Sequence, residues 1–312
     1  MKNFSGKKIP LIVISIVLFY AIFSFYSDFN KVSEHLRNIE IIYLAPIFGI
    51  LSISVIIRSL IQRLLLINIG IKLSVKENLK IFLSGLSMLI TPGGSGVLIK
   101  SYLMHQKYGH NIVKTMPLVF VERFYDVVGI ILLIAISSLF VYSIEAVMII
   151  MPSTAIVFVL IYLVKTRKSL KFVIRSLKKI KFFDKILSDD QEFYDSLNSL
   201  FQTKTILTIL ALVTSLTFFE SLMFYFGFLS FGIDLGFFTS IQTFYASVLF
   251  GSFFLIPGGI GATEGLFVTL LTQKNIELSL ASSLIIFLRL STIWFLTAVG
   301  FFVILRNVIK NN

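Results

Sequence analysis

The stretch FFTSIQTFYASVLFGSFFLIPGGIGATEGLFVTLLT, residues 237–272, contains one carboxylate, Glu264, and no lysine, arginine or histidine. A run this apolar is long enough to enter a hydrocarbon core about 30 Å thick, yet Pro257-Gly258-Gly259-Ile260-Gly261 interrupts it. Proline removes an amide donor and clashes with the preceding turn, and clustered glycines widen the backbone's choices, so two short helices around a non-helical joint are expected. The segment LKIFLSGLSMLITPGGSGVLIKSYLM, residues 79–104, repeats the pattern, with Thr91-Pro92-Gly93-Gly94-Ser95-Gly96 as its break.

The surrounding chain is equally apolar. Of 312 residues, 56% are hydrophobic and 14% charged, with a mean hydropathy of +0.93, an oil content that a water-soluble domain could not hide. The continuous apolar runs do not alternate, which excludes a membrane barrel, and backbone groups in lipid must pair within their own segment, which leaves helices. Six full spans are expected: Ile9–Phe29, Ile41–Ile67, Met116–Tyr142, Ala146–Val164, Thr205–Phe231 and Leu278–Leu305. The first follows Lys2, Lys7 and Lys8 and lacks an Ala-x-Ala-like site, so it reads as a retained span rather than a cleaved leader. Cysteine is absent, and His35, His105 and His110 lie in polar connections without ligand spacing; no metal site and no cofactor are expected.

The net charge of +12 resides in the connections, which fits the positive-inside rule and argues against a nucleic-acid partner. If the first broken segment returns to its side of entry, the cations of the N-terminus, of residues 68–80, 105–115 and 165–204, and of the C-terminus share one compartment. Lys31, Arg37 and Lys274 alone then face the other. A full crossing would throw the basic connection Lys165–Lys204 outward. Both termini are therefore expected in the cytoplasm, in a cytoplasmic membrane, with 165–204 forming a basic amphipathic loop on anionic lipid.

In that orientation the second broken segment enters from the opposite face. Two facing re-entrant hairpins are the geometry of an inverted-topology repeat, with a site near the midplane. Repeat 1 covers about 41–142 and repeat 2 about 205–305, in one transmembrane domain. Pro92-Gly93-Gly94-Ser95-Gly96 falls on Pro257-Gly258-Gly259-Ile260-Gly261 when the halves are overlaid, and the arginine-bearing Phe120-Val121-Glu122-Arg123-Phe124 lies near Phe287-Leu288-Arg289-Leu290.

A charge inside the bilayer needs a partner or a task. Glu122, Arg123 and Asp126 share one span, and Arg123 can pair with Asp126 at i and i+3. Arg289 is expected to pair with Glu220 or Glu264, and Arg58 and Arg63 to snorkel to the cytoplasmic interface. At each hairpin tip a half-helix begins, whose free amides and positive dipole end suit an anion such as phosphate. Lys100 is expected two turns into the first half-helix, and Thr263 and Glu264 stand near the second tip. These residues, with Glu220 and the two Pro-Gly clusters, are the candidates for binding a lipid headgroup.

Taken together, Thr91–Gly96 through Lys100-Ser101-Tyr102-Leu103, Glu122-Arg123-x-x-Asp126, and Pro257–Gly261 through Ala262-Thr263-Glu264-Gly265 resemble the lysylphosphatidylglycerol synthase transmembrane-region family. That family includes the flippase half of the bacterial multiple peptide resistance factor and stand-alone membrane proteins. The resemblance implies a helical bundle with two re-entrant hairpins and lipid translocation. Many members carry arginine where Lys100 stands, which alters phosphate geometry. The aminoacyltransferase domain of the bifunctional members is absent from these 312 residues, so lysine transfer to phosphatidylglycerol is not expected of this polypeptide. The leading expectation is a flippase-like transporter of an anionic or glycosylated lipid, its partners being anionic phospholipid or polyprenyl-phosphate lipid. The alternatives are a membrane partner of a polyprenyl-phosphate glycosyltransferase, with Glu122 and Asp126 as an acid and base pair, and a lipid-binding scaffold without catalysis.

Overall fold

The computed structural model describes residues 18–24, 26–89, 98–166, 169, 175, 190–254 and 257–309. Among them there are helices and turns and no strand. Residues 18–24 are helical, and twelve helices follow: α1 Phe29–Arg37, α2 Leu44–Asn68, α3 Val75–Leu86, α4 Ile99–Tyr108, α5 Ile112–Ser137, α6 Ile144–Lys165, α7 Asp190–Leu200, α8 Thr203–Ser230, α9 Phe237–Ser252, α10 Ala262–Thr272, α11 Leu278–Arg289 and α12 Phe295–Ile309. One π-helical turn, Leu290–Trp294, joins α11 to α12 without a loop.

Four of these helical stretches are long and apolar enough to cross a membrane: Ile41–Asn68, Ile144–Leu163, Thr205–Ser230 and Leu278–Arg306. Their bounds lie within two residues of four expected spans. Helix α5 ends at Ser137, short of the expected Tyr142. Most of the expected first span, the tip 91–96 and most of the basic connection 165–189 lie outside the described residues.

Each interrupted segment does form two helices that pack side by side, α3 with α4 and α9 with α10. The second joint shows why: Gly258, Gly259 and Gly261 have φ of 61°, 68° and 91°, a region that residues with a Cβ rarely adopt. Across this joint, Gly251 of α9 approaches Thr263 of α10 so closely that an added Cβ would lie 2.0 Å from the threonine hydroxyl.

The start of α3 is fixed by a reciprocal cap. Ser74 Oγ accepts from the Glu77 amide, and the Ser74 amide donates to Glu77 Oε2 at 3.0 Å. Deeper in, Asn78 docks α3 on α2, accepting from Gln62 Nε2 at 2.9 Å and donating to the Ser59 carbonyl at 2.6 Å. Ser74→Ala is expected to cost about 1 kcal/mol of stability, read as a lower denaturation midpoint in detergent. The hydrogen bonds from Ser74 hold the Glu77 carboxyl below its ordinary pKa. A depressed folded-state value means that the cap's acidic contribution is present above the unfolded pKa and fades as pH falls through the folded one. Glu77→Gln should remove that part of the acid dependence.

The apolar interior is divided in two. One cluster gathers Leu51 of α2, Ile131 of α5 and Met223 and Phe224 of α8 with α9, α10 and α11. The other gathers Ile61 and Leu65 of α2, Val121 and Tyr125 of α5, and Val213 and Leu216 of α8 with α7. Phe124 and Phe219 touch both. On each of α2, α5 and α8, the residues between the two clusters include a charge: Arg58, Asp126 and Glu220.

Candidate functional site

Helices α2, α5 and α8 pack against one another, and where they meet Arg58 grips two carboxylates. Its Nε and Nη2 donate to Glu220 Oε1 and Oε2 at 2.7 and 2.6 Å, and its Nη1 donates to Asp126 Oδ1 at 2.6 Å. The planar guanidinium makes this fork possible; a lysine's point-like ammonium could not hold Glu220 by two parallel hydrogen bonds while donating to Asp126. Arg58 therefore does not snorkel as expected, because two acids inside the bundle offer it more than the interface does. Glu220 pairs with Arg58, and Arg289 takes Glu264, the other expected alternative. Arg123 reaches Asp126 at 3.3 Å as expected, but its side chain is half exposed.

Lys100 stands in the first turn of α4, which begins at Ile99, nearer the break than the expected two turns. Its ammonium donates to Glu122 Oε2 at 2.7 Å and lies 4.7 Å from the centre of the Phe82 ring. Its stem lies against Gly85 of α3, where an added Cβ would come within 2.6 Å of it. Glu122 and Asp126, suggested as an acid and base pair, thus bind different cations.

At the second joint Glu264 is fully buried. One oxygen accepts from the Gly261 amide at 2.6 Å, capping α10. The other accepts from Arg289 Nε at 2.8 Å and from the Tyr20 hydroxyl at 2.9 Å. Thr263, also buried, is taken up in packing on Gly251 and Gly259. Arg289 is the last residue of α11, directly before the π-helical turn, a feature common at functional positions.

Two buried charged atoms, one in each of these clusters, have no hydrogen-bond partner among the described residues: Glu122 Oε1, an acceptor, and Arg289 Nη2, a donor. Such atoms are costly to bury unmet and are the places where a polar ligand gains most. Pro92, Gly93, Gly94, Ser95 and Gly96 lie outside the described residues, so their relation to Lys100 is not part of this geometry. The structure thus gathers Asp126 and Glu220 with Arg58, Arg123 with Asp126, and Lys100 with Glu122. It separately gathers Glu264 and Arg289 at the Gly258–Gly261 joint.

Arg58 and Tyr20 were not anticipated as members. Arg58 had a signal in the sequence: Glu220 is a carboxylate in a span with no cation of its own, and a membrane interior requires the balance to come from another helix. Tyr20 had none.

Among curated proteins the chain is similar to the UPF0104 membrane protein PH1989 of Pyrococcus horikoshii. The two are 27% identical over 249 residues, covering 73% of this chain and 74% of that one. It is likewise similar to the UPF0104 membrane protein MJ1078 of Methanocaldococcus jannaschii, 28% identical over 234 residues, 71% of this chain and 95% of the relative. No solved structure matches. The family model described as the lysylphosphatidylglycerol synthase TM region matches residues 11–300, which takes in both broken segments, the Arg58 fork and the Glu264–Arg289 pair. The chain is a membrane protein belonging to that family.

Proposed function

We propose that this protein carries the polar headgroup of a membrane lipid across the bilayer, through a polar chamber between two re-entrant hairpins. The observation that carries this reading is the way each hairpin is held. The first hairpin places a cation, Lys100, against an acid on the following helix, Glu122 at 2.7 Å. The second places an acid, Glu264, against a cation at the end of the following helix, Arg289 at 2.8 Å. The polarity is reversed between halves. Packing is reciprocal as well: α5, following the first hairpin, lies on α9 of the second, and α12, following the second, lies on α3 of the first.

These features support an inverted repeat of about 41–142 and 205–305, with six full spans, both termini cytoplasmic and the hairpins entering from opposite faces of a cytoplasmic membrane. In this arrangement a passing headgroup exchanges contacts with Glu122, Arg123, Asp126 and Glu220 on one side and Arg289 on the other, while its acyl chains stay in lipid. The exposed guanidinium of Arg123 is the first cation such a group meets.

The test is reconstitution of the full chain in liposomes that carry a fluorescent phosphatidylglycerol, phosphatidylethanolamine or polyprenyl phosphate, with an impermeant quencher outside. Inward-facing label should become quenchable at least about tenfold faster than in protein-free liposomes for one of these lipids. Glu264→Gln, which weakens the Arg289 contact, should slow it. Equal rates with and without protein for all three would end the reading.

A further inference from the structure

At the end of the α9–α10 hairpin remote from its glycine joint lies a half-open cavity of about 430 Å³ whose walls mix apolar and polar side chains. Its walls are the turn from α5 into α6 at Val141–Ala146, the first half of α9 and the end of α10. Glu145 and Lys274 both line it, with no ion pair between them. Gln242, Gln273, Ser143 and Thr243 supply neutral hydrogen-bonding groups. Two of these are already positioned by the fold: Gln242 Nε2 donates to the Val141 carbonyl at 2.9 Å, and Ser143 Oγ donates to Glu145 Oε2 at 2.5 Å.

We propose that this cavity is a second binding site, for a zwitterionic headgroup carrying an ammonium and a phosphate. A purely anionic ligand would meet Glu145 and a purely cationic one Lys274, whereas a group with both charges satisfies each wall. The volume falls in the range of small-ligand sites. A lipid is the preferred source. Ile144 in the cavity wall opens onto the exposed apolar face of α6, with Ile144 half exposed and Met148 and Met151 mostly so, a ready track for acyl chains. The cavity's lining contains none of the residues of the two charge clusters described above. Binding here is read at equilibrium and stands whether or not the protein translocates lipid.

Titration calorimetry on the purified full chain, with dihexanoylphosphatidylethanolamine, dihexanoylphosphatidylglycerol and free O-phosphoethanolamine, tests the site. The ethanolamine lipid should bind at least about tenfold more tightly than the glycerol lipid. Lys274→Gln should weaken both, Lys274→Arg should retain binding, and Glu145→Gln should shrink the preference for ethanolamine over glycerol. O-phosphoethanolamine binding as tightly as the lipid would assign the site to the free compound, and its failure beside a bound lipid assigns it to the membrane. Equal binding of the two lipids, no binding of either, or an unchanged preference in Glu145→Gln would overturn the proposal. If a variant fails to fold, the wild-type preference alone decides.

Discussion

Replacing Arg58 with methionine is expected to destabilise the protein by about 3–5 kcal/mol, more than any single apolar truncation on the surface of α2. Asp126 and Glu220 would lose their shared cation; Asp126 would keep Arg123 at 3.3 Å, and Glu220 would keep no ion pair among the described residues. The loss reflects Glu220 left without a cation and Asp126 left with Arg123 alone more than it reflects the missing contacts themselves, and that distinction can be measured. Arg58→Met combined with Asp126→Asn and Glu220→Gln removes all three charges and should recover most of the stability, since neutral groups of the same shape are far cheaper to bury. Helix content followed through thermal or denaturant unfolding in detergent gives the comparison. An Arg58→Met protein as stable as wild type would show that the fork does not hold α2, α5 and α8 together.

The second large effect is expected at Gly300. Here α12 crosses α3 in backbone contact: a Cβ built on Gly300 would lie 2.2 Å from the Ser87 amide nitrogen, 2.7 Å from the Leu83 carbonyl oxygen and 2.8 Å from the Leu86 carbonyl carbon. These are main-chain atoms that no rotamer change can move. Small residues permit such approaches between membrane helices, whose association rests on close packing rather than on burial from water. Gly300→Ala must push the helices apart, at a cost of about 1–3 kcal/mol. Because α12 continues from the π-helical turn after Arg289, the displacement reaches the Glu264 contact too. Gly300→Ala should lower the denaturation midpoint and abolish the lipid movement proposed above, with Gly300→Val worse. By contrast Gly265→Ala, which meets open space, should behave as wild type.

The helical class was legible because hydropathy is a summed property: no single residue has to be read correctly for Ile41–Asn68 or Thr205–Ser230 to stand out. The joint at Gly258–Gly261 was legible because proline and glycine act through their own backbone. Local pairs were readable too, as with Arg123 and Asp126 one helical turn apart. What escaped was set by packing between distant segments. Arg58 meets Asp126 and Glu220 across separations of 68 and 162 residues, and nothing in the spacing within α2 distinguishes a guanidinium that turns inward from one that reaches for the interface. Tyr20 finds Glu264 over 244 residues. The overlay sets Arg123 near Arg289, but it could not give their different surroundings, one side chain half exposed and the other buried.

Arg58, Lys100, Arg123 and Arg289 are matched by Glu122, Asp126, Glu220 and Glu264, so the formal charges of the two clusters sum to zero. A transmembrane potential does work of about 2.3 kcal/mol per elementary charge per 100 mV, and on a balanced set moving together it does none. A common shift of these eight paired groups along the membrane normal is therefore blind to voltage. Under the proposed translocation, such a shift would gain electrical sensitivity only from the charge of the headgroup it carries.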